Sequence, residues 1–369
     1  MKQTHHAALN RPSRILIVNP FGIGDVLFSM ALIRALRQAF PHAHLAYLCN
    51  RRTEQILQRN THLDELFVYE KDEFIALWRT HRRSGLKAIA SLIRQIRARR
   101  FEMVLDLSLG ERYSFVLAWL GVARRIGFDF RNRGRFLTHR FGIDGYQGEH
   151  VVEHYARLLR WIGICADEHR HELAINELER QATKQWLAQL GCDAARPTIG
   201  LVPAGGISWG GQAHFRRWSQ EGFVQVGQAL RRQRQATILV LGESQDHQIC
   251  AEIAGAIGSG AIDLSGQTTL TQFIALVGCC DLVVANDGGP IHIAASQDTR
   301  TVSIFGPVDP HVYGPYPQTS RHRIVYNEAL PCRPCYHQFK LPSCPYERAC
   351  LTTIDPQDVL EACEAVLQE

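Results

Sequence analysis

Three loops of this 369-residue chain place polar side chains where a buried strand is expected to end and a helix to begin. The first is Gly22-Ile-Gly24-Asp25. A carboxylate at a helix N-terminus can take a proton from a hydroxyl group, so Asp25 is a candidate general base. The residue could equally cap the helix or lie in its first turn, and from this turn alone capping is the commoner role.

The second loop is Asp287-Gly288-Gly289-Pro-Ile-His292. A strand, a small flexible turn and a helix form the geometry in which backbone N–H groups and the helix dipole bind a phosphate. His292, one turn into that helix, could add a hydrogen bond to a diphosphate. The alternative is a tight turn in which Asp287 caps the helix and His292 packs locally.

The third loop, residues 203–218, contains four glycines, two tryptophans and the pair Arg216-Arg217. Arginine supplies bidentate donors to phosphate oxygens, so this pair could neutralise a bound diphosphate. The alternative is a solvated basic helix start. Basic residues oppose the helix dipole at an N-terminus unless an anion is bound there, which weakens that alternative.

A dinucleotide site of the Rossmann type is a poor match for the first loop. The third glycine of the G-x-G-x-x-G pattern is replaced by Leu27, and Cys49-Asn50 stand where an acidic residue would hold a ribose. Asp25 would also repel a phosphate at the same helix N-terminus. The loop therefore favours acid–base chemistry over cofactor binding.

The elements that would position these loops alternate between strand-length apolar runs and amphipathic helices. Strands at 14–19 and 44–49 enclose a helix that begins near Asp25, which makes a βαβ unit with a buried parallel sheet. The same alternation restarts at the strand 198–202. We therefore predict an α/β protein with two Rossmann-like domains, residues 1–180 and 181–369, with the last helix free to pack back on the first domain.

The charge of the chain is unevenly distributed. Its 41 Lys and Arg against 36 Asp and Glu give +5, but residues 71–140 hold 16 basic and 6 acidic side chains, a local excess of 16 − 6 = +10. This basic stretch predicts an anionic partner. Nucleic acid is one such partner, although the sequence has no aromatic-interleaved RNP pattern and no zinc finger.

Several classes of protein are excluded by composition. With 46% hydrophobic and 21% charged residues the chain is neither disordered nor fibrous. Its longest apolar run, residues 114–123, is shorter than the ~20 residues that span a bilayer, and no secretory signal is visible. We therefore expect a cytoplasmic protein.

Eleven cysteines in such a protein are expected to be free thiols or metal ligands. Four of them have the spacing Cys332-x2-Cys335-x8-Cys344-x5-Cys350, in which one pair is tight and the second is loose for a zinc site. Structural thiols and a small metal knuckle both remain open, and we expect no catalytic role for this group.

Taken together, several segments resemble glycosyltransferase family 9, the lipopolysaccharide heptosyltransferases. The matching segments are ILIVNPFGIGDVLFSMALIRALR near the N-terminus, ARRIGFDFRNRG, LVPAGG followed by FRRW, and LSGQTTLTQFIALVGCCDLVVANDGGPIHIAA followed by IFGPVDP. The resemblance implies the GT-B architecture, in which two Rossmann-like domains with parallel sheets face each other across a cleft. The donor sugar nucleotide would bind mainly to the C-terminal domain, and the acceptor to the N-terminal domain.

The resemblance also implies roles for individual residues. Asp25 matches the general base, with Gly22 and Gly24 in the acceptor-side loop. Asp287 and His292 match the acidic residue and the histidine of the donor site, and Arg216 falls where relatives often place a lysine that contacts the diphosphate. Gly288, beside Gly289, replaces the usual threonine, and Glu243 is a candidate for holding the nucleotide ribose.

The activity implied is an inverting transfer of heptose, or a related sugar, from an ADP-sugar to the lipopolysaccharide inner core. No Asp-x-Asp motif is present, so we expect neither a metal nor a cofactor. The expected partners are the nucleotide sugar, an anionic glycolipid and, through the basic stretch, the inner-membrane surface, with no nucleic acid. A nucleic-acid-binding protein and a nucleotide-sugar-modifying enzyme are the alternatives.

Overall fold

The computed structural model describes residues 11–70, 82–165, 173–205 and 207–368. The chain forms two compact units, Met1–His169 and Arg170–Glu369. The division expected after residue 180 falls inside a helix, Glu177–Gln189, that packs on the second unit, where Arg180 donates a hydrogen bond to the carbonyl oxygen of Gly278.

The N-terminal unit contains a six-stranded parallel sheet in the order β3-β2-β1-β4-β5-β6. The strands are β1 (Arg14–Val18), β2 (His44–Cys49), β3 (Glu65–Val68), β4 (Met103–Asp106), β5 (Arg124–Phe130) and β6 (His139–Ile143). The helices are α1 (Ile23–Phe28), α2 (Met30–Ala39), α3 (Arg51–Leu57), α4 (Arg82–Arg99), α5 (Glu111–Trp119) and α6 (Val151–Trp161).

The C-terminal unit repeats this design, with six parallel strands in the order β12-β11-β10-β7-β8-β9. The strands are β7 (Thr198–Val202), β8 (Thr237–Val240), β9 (Ala261–Asp263), β10 (Leu282–Asn286), β11 (Arg300–Ile304) and β12 (His322–Val325). The helices are α7 (Glu177–Gln189), α8 (Gln220–Arg234), α9 (His247–Ile257), α10 (Leu270–Val277), α11 (Gly289–Ser296), α12 (Pro310–Tyr313), α13 (Ala349–Thr352) and α14 (Pro356–Gln368), with 3₁₀ segments at Ile207–Arg216 and Ser244–Asp246.

The central strands are continuous apolar runs because helices cover both faces of each sheet. Every residue of β7 and β10 is buried, as are the last four of β1. The register then sets which loops are neighbours. Val18 pairs with Asp106, and Val202 pairs with Ala285, so the loops after β1 and β4 share one sheet edge and those after β7 and β10 share another.

The prediction of two parallel α/β sheets is confirmed, and β2 and β7 have the predicted bounds. Residues 114–123 do not form one apolar element. They are divided between α5 and the turn that follows it. The last helix, α14, packs on α8, β11 and β12 of its own unit. In the described part of the chain, no helix is both long and apolar enough to cross a membrane.

Candidate active site

Asp25 lies in the first turn of α1, immediately beyond the carboxyl end of β1, and is half-buried. Gly22 occupies the N-cap position, and no side chain caps this helix. Asp25 is therefore not the N-cap residue, and it occupies the other predicted position, the first turn of the helix. A Cβ atom added at Gly22 would lie 3.9 Å from Oδ2 of Asp25, which is ordinary van der Waals contact, so the glycine and the carboxylate are neighbours.

Two asparagines from adjacent strands hold the backbone of this loop. Asn19, fully buried after β1, donates from Nδ2 to the carbonyl oxygen of Asp25 at 3.2 Å. Asn50, after β2, donates to the carbonyl oxygens of Pro20 at 3.2 Å and Phe21 at 2.6 Å. Its Oδ1 accepts from the backbone N–H of Thr53, so the same side chain also caps α3. The position where a dinucleotide fold would bind a ribose thus serves to fix the loop that carries Asp25.

The charge of Asp25 acts on three buried tyrosines of the N-terminal unit. Burial is the main cause that raises the pKa of Tyr47, Tyr146 and Tyr155, and the nearby Asp25 charge adds to the rise for each of them. Tyr47 also shares a 2.8 Å hydrogen bond with Ser29, the residue between α1 and α2. The phenols therefore stay neutral, and none of them competes with Asp25 as a base.

Asp106 is a second carboxyl group at this edge, at the end of β4. Burial raises its pKa to about 6, opposed by a hydrogen bond from the Ser108 backbone N–H at 3.0 Å. The strand β5 approaches β4 closely here, because a Cβ atom at Gly127 would lie only 2.4 Å from the Asp106 carbonyl oxygen. No sequence signal pointed to a role for Asp106.

In the C-terminal unit, Arg216 and Asp287 form a buried ion pair. Arg216 Nη2 lies 2.5 Å from Asp287 Oδ1, and the two side chains are 12% and 1% exposed. Asp287 does not cap α11, whose N-cap residue is Gly288. Arg216 is likewise not a solvated helix start, since it ends the 3₁₀ segment and Ser219 caps α8. Burial raises the pKa of Asp287, and the Arg216 charge opposes that rise.

Asn286 brings the segments of this pair together. Its Nδ2 donates to the carbonyl oxygen of Pro203 at 2.7 Å, and its Oδ1 accepts from the backbone N–H of Trp218 at 2.9 Å. One buried amide thereby joins the end of β7, the chain just after Arg216 and the end of β10. Asn286 was not predicted from the sequence, nor were the roles of Asn19 and Asn50. An asparagine directly at the end of a buried strand, where its amide needs partners, was the available signal.

Arg216 is also held by an aromatic side chain. Its Cζ lies 4.7 Å from the centre of the Trp209 ring, and Trp209 stacks on Tyr336 with ring centres 4.8 Å apart. The 3₁₀ segment can turn here because Gly210 adopts a φ of 54°, which favours glycine. No sequence signal pointed to Tyr336, which comes from the cysteine-containing segment more than a hundred residues away.

The remaining donor-site candidates lie at the same edge of the sheet. Gly288 and Gly289 form the N-terminus of α11, and His292 is buried in its second turn. Glu243 is exposed beyond β8 and accepts a 3.0 Å hydrogen bond from Gln245. The carboxyl edge therefore gathers Arg216, Asp287 and the α11 N-terminus, with Glu243 two strands away from β10 in the sheet order.

Arg217 is not part of the ion pair, but it contacts two loops at the same edge of the sheet. Its Nε donates to the carbonyl oxygen of Gly205 at 3.1 Å, and its Nη2 lies 3.6 Å from the buried carboxylate of Asp246. The two consecutive arginines thus have different tasks. Arg216 holds Asp287, and Arg217 ties the loop after β7 to the turn after β8.

The four cysteines of the C-terminal segment are free thiols, three of them half-buried and Cys350 buried. Burial raises the pKa of Cys335, and it raises that of Cys350 to about 11. Among the described residues, no group of three or more His, Cys, Asp or Glu side chains could hold a metal ion.

The basic stretch is only partly available to a partner. Residues 71–81 lie outside the described part of the chain. Arg99 makes a bidentate ion pair with Glu65, at 2.7 Å and 2.8 Å, which raises the pKa of Arg99 and offsets its charge. Arg97, in the last turn of the same helix, and Arg100, just after its end, are exposed.

Comparison with known proteins agrees with this geometry. Two Rossmann-like units with parallel six-stranded sheets, and polar groups at the carboxyl edge of each, match the architecture of the GT-B glycosyltransferases. Residues 89–343 match the family model for glycosyltransferase family 9 (heptosyltransferase). The chain belongs to glycosyltransferase family 9 and is a glycosyltransferase.

The chain is 24% identical to lipopolysaccharide heptosyltransferase 2 of Escherichia coli, with 96% of this chain and 98% of that protein covered. It is 23% identical to the lipopolysaccharide core heptosyltransferase OpsX of Haemophilus influenzae over 86% of each chain. Among solved structures, a family 9 glycosyltransferase of Veillonella parvula superimposes with a TM-score of 0.78 and 22% identity over 96% of this chain and 97% of that one. The ADP-heptose heptosyltransferase II of E. coli gives 0.72, also at 22% identity, over 96% and 98%.

Proposed function

We propose that this glycosyltransferase transfers a heptose from ADP-heptose to the inner core of lipopolysaccharide, with inversion at the anomeric carbon. The observation that carries the proposal is the position of Asp25 at the carboxyl edge of the N-terminal sheet, in a loop fixed by Asn19 and Asn50. The relatives described above, which are named for lipopolysaccharide heptosyl transfer, support the choice of sugar and acceptor.

In the N-terminal unit, Asp25 acts as the general base. The acceptor hydroxyl gives its proton to the carboxylate while its oxygen attacks the anomeric carbon of the donor. The bond between that carbon and the diphosphate oxygen breaks, and ADP leaves with the electron pair. Attack opposite the departing group inverts the configuration, so one base is sufficient.

In the C-terminal unit, the donor diphosphate binds beside Arg216 at the N-terminus of α11. Backbone N–H groups of Gly288 and Gly289 and the helix dipole favour the negative charge that develops as ADP leaves. His292 adds a hydrogen-bonding group on the same helix, and Glu243 is placed to bind the ribose. These positive groups do the work that a metal ion does in other transferases, so we propose a reaction without metal or cofactor.

Replacement of Asp25 tests the catalytic assignment. Asp25→Asn should keep donor binding and lower the rate of transfer by about 10²-fold or more. Asp358→Asn, at an exposed position of α14, is the matched control and should leave the rate unchanged. A near-normal rate in Asp25→Asn would remove Asp25 as the base.

Equal rates with and without EDTA would support the metal-free reaction, and a loss restored by Mg²⁺ would contradict it.

Thermal stability identifies the donor. A ligand at 100 times its dissociation constant stabilises the folded state by about 2.7 kcal/mol. ADP-heptose should raise the Tm of the protein, whereas UDP- and GDP-sugars should not. A shift with single-stranded RNA or with NAD instead of ADP-heptose would favour the nucleic-acid or nucleotide-sugar-modifying alternatives.

The location proposed for the enzyme follows from its acceptor. A lipid-linked acceptor with an anionic core requires the protein to work at a negatively charged membrane face, which we take to be the cytoplasmic face of the inner membrane. The excess of basic residues in the N-terminal half supports that location.

A further inference from the structure

Arg348 is the residue directly before α13, and its guanidinium contacts the backbone on both sides of Arg216. Its Nη1 donates a 2.7 Å hydrogen bond to the carbonyl oxygen of His214 and a longer one, at 3.5 Å, to the carbonyl oxygen of Arg217. These carbonyls belong to the residues two before and one after Arg216. A distant arginine therefore holds the segment that carries the proposed diphosphate ligand.

The backbone of Arg348 has a conformation that favours glycine. Its φ of 61°, like the φ of 47° at Glu347, lies in the left-handed region, which costs free energy in most other residues. Such residues persist where the surrounding structure enforces them, and they are concentrated at functional sites. The contacts of the side chain give a reason for arginine at a position where glycine would be less strained.

The backbone of Arg348 is also anchored to the core of the C-terminal unit. Its N–H donates to Sγ of Cys344 at 3.4 Å. Its carbonyl oxygen accepts from the backbone N–H groups of Leu351 at 2.7 Å and Thr352 at 3.0 Å. Leu351 is 1% exposed and packs in the hydrophobic core of this unit. The guanidinium is therefore attached to a fixed point, from which it can restrain the irregular 3₁₀ segment.

The side chain and the backbone of Arg216 are thus restrained by different groups. Asp287 and the Trp209 ring contact the guanidinium of Arg216. Arg348 holds the backbone carbonyls around it, and Asn286 accepts a hydrogen bond from the N–H two residues further on. Because Asp287 directly precedes the N-cap residue of α11, a shift of this backbone would move the Arg216 guanidinium relative to the helix N-terminus.

We propose that Arg348 is a positioning residue for donor binding, which holds the 3₁₀ segment so that Arg216 meets the diphosphate beside the N-terminus of α11. Arg348 acts through Arg216 and does not itself touch the donor. The inference rests on the proposed function for its ligand, a nucleoside diphosphate, and deepens that function by naming the residue that places Arg216. The alternative is that Arg348 only fastens the cysteine-containing segment to its own unit.

Calorimetric titration of the full chain with ADP is the direct test. Arg348→Gln should weaken ADP binding about tenfold, because Arg216 must then be ordered when the diphosphate binds. Arg348→Lys keeps a charged donor on a long side chain and should recover part of this loss. In rate measurements, Arg348→Gln should raise the KM for the nucleotide sugar and leave the KM for the acceptor unchanged.

Arg348→Gly separates positioning from folding. Glycine adopts the left-handed conformation without strain, so this variant should unfold at a higher temperature than Arg348→Gln. It should nevertheless bind ADP no better than Arg348→Gln does, since both lack the guanidinium. ADP affinities that follow the unfolding temperatures of the two variants would show a merely structural role and overturn the proposal.

Arg321→Gln is the matched control. Arg321 also donates from its guanidinium to a backbone carbonyl of the same unit, that of Asp298 at 2.7 Å, but it lies directly before β12, at the opposite edge of the sheet. This variant should bind ADP as the parent chain does. A loss equal to that of Arg348→Gln would overturn the proposal, because any severed guanidinium–carbonyl contact would then have the same effect.

A double-mutant cycle tests whether Arg348 acts through Arg216. In the Arg216→Met background, Arg348→Gln should lower kcat/KM for the donor little further, whereas simply additive losses would overturn the proposal. If Arg216→Met weakens ADP binding and Arg348→Gln does not, this proposal alone fails. If neither variant weakens ADP binding, the donor site assigned under the proposed function fails with it.

Discussion

Arg216 and Asp287, although seventy-one positions apart (287 − 216 = 71), form a 2.5 Å ion pair in which the carboxylate is almost completely buried. The guanidinium of Arg216 therefore contacts both Asp287 and the Trp209 ring. A donor diphosphate would meet an arginine that is already oriented and whose charge is partly offset. This restraint lowers the cost of ordering the side chain when the donor binds.

Replacing only one residue of this ion pair should lower the free energy of unfolding more than replacing both. Arg216→Met or Asp287→Leu alone leaves one buried charge without its partner, which costs about 3–5 kcal/mol of the free energy of unfolding. The double variant should cost less than either single variant. Urea denaturation of the three proteins measures this, and simply additive costs would show that the two charges do not stabilise each other. All three variants should lose donor binding.

The buried carboxyl of Asp106 predicts a pH dependence of stability. Its pKa rises from 3.8 to about 6 in the folded chain because of burial, so the folded state holds this proton more tightly than the unfolded state does. Stability is then highest below pH 4 for this group and falls as the pH rises through 6.

Asp106→Asn removes this titration and keeps an oxygen for the Ser108 N–H. Between pH 4 and pH 8, the free energy of unfolding of the variant should improve relative to the parent by up to about 3 kcal/mol. Denaturant titrations at the two pH values provide the measurement. A constant difference between the proteins at both values would contradict the raised pKa.

Asn50 offers a variant that separates loop position from helix capping. Asn50→Asp keeps the oxygen that caps α3 but puts a second oxygen against the carbonyls of Pro20 and Phe21. The Asp25 loop should shift, and a displacement of this kind lowers kcat by about tenfold or more. The dissociation constant for the donor should not change, because the groups proposed to bind the donor lie in the C-terminal unit.

Asn176→Asp is the control for this experiment, since Asn176 caps α7 with its side-chain oxygen at 2.8 Å from the Glu179 nitrogen. The control variant should retain its kcat. If Asn50→Asp also retains full kcat, Asn50 serves only the helix cap.

Gly288 is a position where a larger side chain should fit. The nearest atom to an added Cβ is Pro290 Cδ at 3.7 Å, and the φ of 160° is extended backbone that any residue adopts. Gly288→Thr should therefore change the free energy of unfolding by less than about 1 kcal/mol and increase donor affinity through its new hydroxyl.

Gly127→Ala is the contrasting variant, and its 2.4 Å contact should lower the free energy of unfolding by about 1–3 kcal/mol. Calorimetric titration with ADP and thermal unfolding test both statements; weaker ADP binding by Gly288→Thr would contradict the first.

The sequence predicts the sheets well and the contacts at their edges poorly. Apolar runs such as β1 and β7 are long, continuous and bounded by turn residues, so their positions follow from local pattern alone. By contrast β5 and β6 contain arginine, histidine and glycine, and α5 has apolar residues on both faces. Their assignment depends on the neighbours that cover them, which local pattern does not contain.

The same distinction applies to the candidate site. Asp25 and Asp287 could be identified because each follows a recognisable strand and turn. The ion pair with Arg216 could not, since it depends on Asn286 joining three separate segments. The expectation that both aspartates might be helix caps failed because glycine occupies the N-cap position in each helix.

The stacking of Trp209 on Tyr336 has a consequence for exchanging parts between members of the family. The two rings come from the 3₁₀ segment and from the cysteine-containing segment, and the latter is anchored where the N–H groups of Cys335 and Tyr336 both meet the carbonyl oxygen of Pro307. A chimaera that imports only one of the two segments would separate the rings and leave Arg216 supported on one side. Residues 207–216 and 332–350 should therefore be exchanged or mutated together when parts of related enzymes are combined.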